Sequence, residues 1–183
     1  MKNVFLSLTV LVAMALCLFT PSIGRAQTPQ PMPAYIASIK GQKQGQIKGE
    51  VVQRGREQWF QLYSYRHEII SPRDSASGLP TGKRQHKPIV ITRKAGMGSA
   101  SFMNLLTTNE NITELKIMFF QVKPGGVEES YQTVSLLNAN LAGFRQFDMP
   151  GVGLMEELSF TYQKITVTSG GNIISEDEWS SRS

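Results

Sequence analysis

The stretch Thr81-Gly82-Lys83-Arg84-Gln85-His86-Lys87-Pro88-Ile89-Val90-Ile91-Thr92-Arg93-Lys94 joins a basic, turn-rich loop to a short β-branched strand. Proline lacks an N–H group, so Pro88 suits the first residue of a strand. The four residues after it have branched side chains, which pack well on a pleated sheet. The preceding loop, Ser71–Lys87, contains two prolines and two glycines but few apolar side chains. A loop of this length in a compact domain is usually functional or mobile. We call Ser71–Lys87 the basic loop and expect it to bind a partner.

The first 26 residues differ from the rest of the chain and have the pattern of a secretory signal peptide. Lys2 supplies an early positive charge, and residues 4–19 form a predominantly apolar run. Gly24-Arg25-Ala26 then provides a small-x-small cleavage site before Gln27. We therefore predict a signal peptide at residues 1–26 and a secreted protein.

Two other readings of this N-terminal segment are weaker. Its 16-residue apolar run falls short of the roughly 18 residues expected of a transmembrane anchor. Leu16 occupies the position before Cys17 where lipoprotein signals usually carry a small residue, which disfavours a lipid anchor. Cleavage after Ala26 would lower the net charge from +5 to +3 and remove the single cysteine. The mature protein would then contain no disulfide and no thiol nucleophile.

Short apolar segments separated by turns follow the cleavage site. Alternating or two-sided apolar patterns predict strands at Tyr35–Ile39, Glu57–Ile70, Ile89–Thr92, Thr113–Val122, Glu129–Leu137, Asn138–Phe147 and Met155–Thr168. In the last of these, the parity of the apolar positions slips after Tyr162, which indicates a bulge near Lys164.

One segment, Ser99–Asn109, has helical periodicity. Phe102, Leu105 and Leu106 fall at positions i, i+3 and i+4, which places them on one apolar stripe. Gly98 with Ser99 or Ser101 can cap its N-terminus. A helix of this length is marginal alone, so we expect it to pack on a sheet.

Antiparallel strands and a single helix indicate a mainly β fold. We predict a small antiparallel β-barrel, made of two packed sheets, with one flanking α-helix. The length of 183 residues and the 40% hydrophobic content suit one domain. We place the barrel at residues 35–169, after a Pro-rich spacer at 27–34, and expect the polar tail 170–183 to fray.

The sequence lacks the motifs of common catalytic and cofactor sites. It contains no Gly-x-Ser-x-Gly and no His-Glu-x-x-His. Its acidic pairs, Glu128-Glu129 and Glu156-Glu157, lie at or beside turns, where solvated charges are usual. His67 and His86 are the only histidines, and two without a third ligand at recognisable spacing do not indicate a metal site. We expect no catalytic residue, no cofactor and no metal.

A basic cluster raises the question of nucleic acid binding. Its members are Lys83, Arg84, Lys87, Arg93 and Lys94. No aromatic stacking platform is interleaved with them, and the charge of the mature chain is modest. We therefore expect no nucleic acid partner.

Several short motifs occur in a characteristic order between Tyr35 and Thr168. They are Ile47-x-Gly49-Glu50, Trp59 with Ser64-Tyr65-x-His67, Thr81-Gly82-Lys83-Arg84-x-His86-x-Pro88, a helix start rich in Ser and Phe, Glu129-x-Tyr131 with Val134-x-Leu136-x-Asn138-Ala139, and Phe160-x-Tyr162-x-Lys164-Ile165. In order and spacing these motifs resemble the Hcp family, the ring-forming tube proteins of bacterial type VI secretion.

The resemblance implies a protein that works by assembly. Members of this family form six-membered rings that stack into a tube propelled through a contractile sheath. Spike and sheath proteins and secreted effectors are thus implied as partners, and no catalytic residues are implied. A closed ring needs head-to-tail contacts between two different faces of each subunit. We expect assembly contacts at Lys83, Arg84, His86, Lys87, Glu128, Glu129 and Tyr131, with the three basic side chains of the loop facing Glu128 and Glu129 of a neighbour.

The signal peptide departs from the family pattern, because tube subunits usually assemble in the cytoplasm. Translation from Met32 would remove it, leaving a cytoplasmic protein that the type VI apparatus itself exports. The segment could also tether the protein to the inner membrane. We favour export with cleavage and no stable membrane insertion. An alternative function is then an exported Hcp-like barrel that binds a partner outside a tube, without catalysis. Oligomeric state distinguishes the two functions.

Overall fold

The computed structural model describes residues 33–178. The predicted signal peptide, most of the Pro-rich spacer and the residues after Glu178 lie outside this range. The strands are β1 Ala34–Gly41, β2 Gly45–Gln46, β3 Phe60–Gln61, β4 Ser64–Arg66, β5 Ile69–Ile70, β6 Gln85–His86, β7 Ile89–Lys94, β8 Ile112–Val122, β9 Glu128–Met149, β10 Gly153–Ser169 and β11 Asn172–Glu178, and the helix α1 is Ser99–Thr107. In the described part of the chain, no helix has the length and apolar character needed to cross a membrane.

Nine strands form one antiparallel sheet that curls until its ends meet. The order is β2-β1-β8-β9-β10-β7-β4, with β3 also pairing with β1 and β11 with β10. Because β3 pairs with β1 and β4 pairs with β7, the short segment from β3 to β4 closes the curl. Within it, the Leu62 N–H donates to the Ala34 carbonyl at 3.0 Å, and the Tyr63 N–H donates to the Thr92 carbonyl at 2.8 Å. The predicted mainly β fold, a small antiparallel barrel with one helix, is confirmed. The two packed sheets of that prediction are parts of one continuous nine-stranded sheet.

The predicted strand Glu57–Ile70 is wrong as a single element, because the structure divides it into β3, β4 and β5. Gln58, with a φ of 65°, turns the backbone just before β3. The chain then crosses from one neighbour, β1, to another, β7. Apolar side chains on both faces of this segment reflect that crossing rather than one long strand covered on two sides.

The core lies between the curled sheet and α1. Phe102 and Leu105 of the predicted apolar stripe are fully buried, and Leu106 packs beside them. The Phe102 ring lies 5.2 Å from that of Phe60, which links the helix to the closing segment. Gly98 occupies the N-cap position with a φ of 87°, and no side chain caps the helix. The predicted serine cap is therefore wrong, since the Ser99 hydroxyl instead accepts a hydrogen bond from the Gly96 N–H.

Strand β9 is continuous, whereas the sequence predicted two strands meeting at Asn138. Asn138 has a φ of 48°, a left-handed conformation that asparagine tolerates better than most residues. In the neighbouring β10, Tyr162 and Ile165 are both buried, so the parity slip is real. The bulge predicted near Lys164 is wrong, because β10 keeps its register with β9 through that residue. The register of β10 shifts instead between Ser159 and Phe160 against β9 and between Val167 and Thr168 against β11.

The first part of the acidic tail is ordered, contrary to the expectation that it frays. Residues Asn172–Glu178 form β11, which pairs with the end of β10. Glu176 forms an ion pair with Lys164 of β10, with the ammonium nitrogen 2.6 Å from the carboxylate oxygen. A polar sequence therefore forms a strand here because a neighbouring edge and complementary charges are available, neither of which local periodicity reveals.

Candidate assembly surface and its anchoring network

The basic loop leaves the barrel through the hairpin β5–β6, which forms a separate two-stranded sheet. Asp74 organises the loop's tip, since one of its carboxylate oxygens accepts hydrogen bonds from the Ala76 and Ser77 N–H groups at 3.1 and 2.7 Å. These hydrogen bonds, those from Ser77 foremost, lower the pKa of Asp74. Further back, the Thr81 N–H donates to the Pro72 carbonyl at 3.0 Å. The loop is thus ordered by its own contacts while its surface stays exposed.

Lys83 and Lys87 have no carboxylate partner within residues 33–178. Lys83 is exposed. The Lys87 ammonium donates only to the Gln85 side chain, at 3.3 Å, while its backbone N–H donates to the Glu68 carbonyl. Both lysines are therefore without an acidic partner in this part of their own chain, and their contact with a neighbouring subunit stays a prediction.

Arg84 and His86, in contrast, share a partner in their own chain. The Arg84 guanidinium makes a two-pronged ion pair with Asp177 of β11, and the His86 Nε2 lies 2.9 Å from the same carboxylate. The Arg84 side chain is 44% exposed, whereas those of Asp177 and His86 are 16% and 3% exposed. Hydrogen bonding from Arg84 is the main cause that lowers the pKa of Asp177.

Tyr162 joins the two histidines. Its hydroxyl lies 2.9 Å from the His86 Nδ1 and 2.8 Å from the His67 Nε2. Burial, with the charge of Asp177 second, raises the pKa of Tyr162 to about 12. Burial, with the charge of His86 second, lowers the pKa of His67. We call these five residues, Arg84, His86, Asp177, Tyr162 and His67, the Tyr162 network.

The two histidines of the Tyr162 network have the hydrogen-bonded arrangement of structural histidines rather than that of metal ligands. Among residues 33–178, no group of three or more His, Cys, Asp or Glu side chains is placed to hold a metal ion. A cavity of about 190 Å³ lies beside the network and is lined by His86, Lys87, Pro88, Thr161, Tyr162 and Gln163. In this lining, Lys87 is a cation whose ammonium contacts the Gln85 side chain but no carboxylate within residues 33–178.

The other predicted assembly residues lie at the β8–β9 hairpin and also have partners in their own chain. Glu128 binds Arg56 at 2.8 Å, and the Arg56 guanidinium stacks 3.7 Å over the Phe120 ring. Glu129 forms an ion pair with Lys123. The Tyr131 ring is partly exposed and lies beside a core aromatic residue. The structure therefore separates the acidic pair from the basic loop, on a different hairpin of the subunit.

Two residues that the sequence placed on the surface are buried. Arg93, counted with the basic cluster, and Glu156, counted as a solvated acid, both have fully buried side chains. They face each other between β7 and β10, with Arg93 Nη1 at 3.3 Å from Glu156 Oε2. Strand pairing aligns them, since Arg93 lies directly opposite Glu156 in the register. They are structural and do not belong to the exposed basic surface.

Sequence reasoning missed Asp177 and the joining role of Tyr162. Asp177 lies in the acidic tail, 93 positions after Arg84, and nothing in the local pattern relates the two. His67 and Tyr162 each occur in motifs quoted above, but only the folded sheet shows that they meet.

Comparisons with known proteins agree on one family. The family profile described as "Type VI secretion system effector, Hcp" matches residues 37–168. The chain is 36% identical over 152 residues to the "Major exported protein" of Pseudomonas aeruginosa PAO1, an alignment that covers 74% of this chain and 88% of that protein. Among solved structures, the secreted protein Hcp3 of Pseudomonas aeruginosa is 30% identical with a TM-score of 0.67, covering 80% of this chain and 99% of that one. The Hcp1 protein of the E. coli EAEC 042 pathovar is 26% identical with a TM-score of 0.74, covering 81% and 99%.

Proposed function

The chain belongs to the Hcp family of type VI secretion, and we propose that it is a structural subunit that assembles into hexameric rings, which stack into a tube and carry or accompany secreted effectors. Spike and sheath proteins are the corresponding partners, and the subunit acts by assembly rather than by catalysis. The observation that carries the proposal beyond family membership is the basic loop, an ordered, exposed projection whose Lys83 and Lys87 lack acidic partners in the described part of their own chain.

The exposed apolar residues at the loop support this role. Ile69 and Ile70 on β5 and Leu79 near the tip are all exposed. Isolated exposed apolar residues are ordinary, but three of them on one projection, together with unpaired lysines, form a surface of mixed character that suits a protein contact. The acidic β8–β9 hairpin provides a second and different surface, as head-to-tail contacts require.

The native mass of the exported protein tests the proposal. We expect the full chain, expressed with its N-terminal segment and purified from the periplasm, to begin at Gln27 by mass spectrometry. Light scattering after size exclusion should give six times the subunit mass, and negative-stain images should show rings. A monomer at micromolar concentration would contradict the tube function and favour the binding module outside a tube. A protein that stays in the cytoplasm and begins at Met32 would contradict the signal peptide instead.

Reversing the two unpaired charges of the loop should weaken stacking. In the double variant Lys83→Glu, Lys87→Glu, we expect rings of normal mass but about tenfold fewer stacked rings, because like charges would then face acidic side chains such as Glu128 and Glu129 of the next subunit. Image classification at low salt measures the stacked fraction. Lys48→Glu, on an exposed lysine outside the loop, is the matched control. Stacking that is unchanged in the double variant would exclude these lysines from the contact.

A further inference from the structure

We propose that Asp177 is the positioning residue of the basic loop, and that it fixes the base of the loop on the barrel by ordering the Tyr162 network. This inference deepens the proposed function, on which its consequence for stacking rests. The effect of Asp177 on the loop itself stands apart from assembly and can be measured in a single subunit.

The backbone sets the orientation of the loop only in part, through the chain leaving β4 and entering β7 and one hydrogen bond from the Lys87 N–H to the Glu68 carbonyl at 3.0 Å. Strands β5 and β6 pair only with each other, through Ile69 with His86 and Ile70 with Gln85. This two-stranded sheet is separate from the nine-stranded one. Because this backbone connection is narrow, side-chain contacts at the base of the hairpin are the other means of holding it against the barrel.

Asp177 supplies those contacts from the barrel side. Its carboxylate receives two hydrogen bonds from Arg84, just before β6, and one from His86 within β6. A bidentate guanidinium–carboxylate pair is directional as well as attractive, so it fixes angle and distance together. Asp177 is itself fixed, because it lies directly opposite Ile165 in the pairing of β11 with β10.

The carboxylate also fixes the direction of the remaining hydrogen bonds. An ionised carboxylate only accepts, so the His86 Nε2 must carry a hydrogen. In neutral His86 the Nδ1 is then an acceptor, and the Tyr162 hydroxyl donates to it. The Tyr162 oxygen is left to accept from the His67 Nε2. The Asp177 carboxylate thus sets the tautomers of both histidines and ties the end of β4 to the base of the loop.

An ordinary surface ion pair would have no such effect. Exposed pairs contribute little, and Arg84 is half-exposed. What distinguishes this site is that the same carboxylate binds a histidine that is 3% exposed. Asp177 also lies beyond residue 168, where the match to the family profile ends, so family membership does not assign it.

Limited trypsin digestion of the full-length, purified protein tests the proposal. Trypsin cleaves after Lys83 and Arg84, at the base of the loop. We expect Asp177→Asn, which keeps the shape but removes the charge, to speed cleavage there about tenfold, since charge-assisted hydrogen bonds are lost. Glu176→Gln is the matched control, because Glu176 directly precedes Asp177 on β11 and pairs with Lys164. This variant should change the cleavage rate less than about twofold. Asp177→Glu, which keeps a carboxylate, should restore most of the protection.

Three results would overturn the proposal. The first is an Asp177→Asn rate within twofold of the wild-type rate. The second is equal cleavage in the Asn and Glu variants, because the charge would then be irrelevant. The third is faster cleavage throughout the barrel together with a lower melting temperature, because the effect would then be global unfolding.

Ring stacking separates this inference from the proposed function. If the wild-type protein forms stacked rings, Asp177→Asn should keep the rings and lose most of the stacks. If the wild-type protein forms no rings, the proposed function fails, while the digestion still decides whether Asp177 holds the loop.

Discussion

Replacing Arg93 with methionine is expected to lower the free energy of unfolding by about 3–5 kcal/mol, because it leaves Glu156 as an uncompensated buried charge. Both side chains are fully buried. Arg93 also donates to the Met97 carbonyl at 2.9 Å, which holds the turn before α1. Burial is the main cause that lowers the pKa of Arg93, and the nearby charges of Glu50 and Glu156 oppose it.

The geometry of this pair makes it sensitive to the loss of either partner. Arg93 Nη1 and Glu156 Oε2 lie within ion-pair distance but are not aligned as a hydrogen bond, and neither atom has another hydrogen-bond partner. The other carboxylate oxygen of Glu156 accepts from Gln146 at 3.0 Å. Attraction between the two charges therefore offsets much of the cost of burying them. If Arg93 is lost, the hydrogen bond from Gln146 alone does not compensate the buried charge of Glu156.

Urea denaturation at one fixed protein concentration measures the Arg93→Met effect. Arg145→Met is the matched control: Arg145 is 67% exposed and pairs with Glu157, the residue next to Glu156, at 3.5 Å. That variant should lose no more than about 1 kcal/mol. Arg93→Met combined with Glu156→Leu should lose less than Arg93→Met alone, since no charge then remains buried. Equal losses in the two arginine variants would show that the buried pair has no special role.

Truncating Phe60 to alanine is expected to cost about 3–5 kcal/mol, the range for a buried phenylalanine. Phe60 is 1% exposed and lies in β3, where the sheet closes. Its ring contacts Phe102 of the helix, and the Arg93 guanidinium lies 4.7 Å over it. It also packs so closely on Gly98 that a Cβ there would lie 2.7 Å from the ring. One side chain thus joins the closing segment, the helix and the buried ion pair.

The same denaturation experiment measures the Phe60 effect. Leu154→Ala, at an exposed position on β10, is the control and should change stability by about 0.5 kcal/mol or less. Phe60→Leu, which keeps most of the volume, should cost less than about 1.5 kcal/mol. A Phe60→Ala loss no larger than that of Leu154→Ala would mean that the closing segment contributes little to the stability of the barrel.

Elements with a regular local pattern could be predicted from the sequence. Strands β7 and β8 and the helix lie where alternation or the Phe102–Leu105 spacing indicates. The basic loop could also be identified, because proline, glycine and charge are local signals. Residues Glu57–Ile70 do carry apolar side chains on both faces, but this pattern fits two structures. A local pattern does not distinguish one long strand from a segment that pairs first with one strand and then with another.

The candidate site was harder to predict because it depends on distant pairings. Arg84 and Asp177 meet only because β10 brings β11 beside the hairpin that precedes β7. Arg93 has the sequence context of an exposed cation, yet strand register places it opposite Glu156 inside the barrel. Charge in a sequence gives no indication of burial when its compensating partner comes from another strand.

The pairing order of the barrel determines when a newly made chain can fold. Strand β1 pairs with β8, so Ala34 cannot pair with Phe119 until that residue has been synthesised, and β7 gains its second neighbouring strand only when Phe160 of β10 has been made. Such distant pairings form slowly. Translation delivers the N-terminal half first, and that half cannot close a sheet by itself. The barrel therefore cannot be completed until β10 has been synthesised, close to the end of the chain.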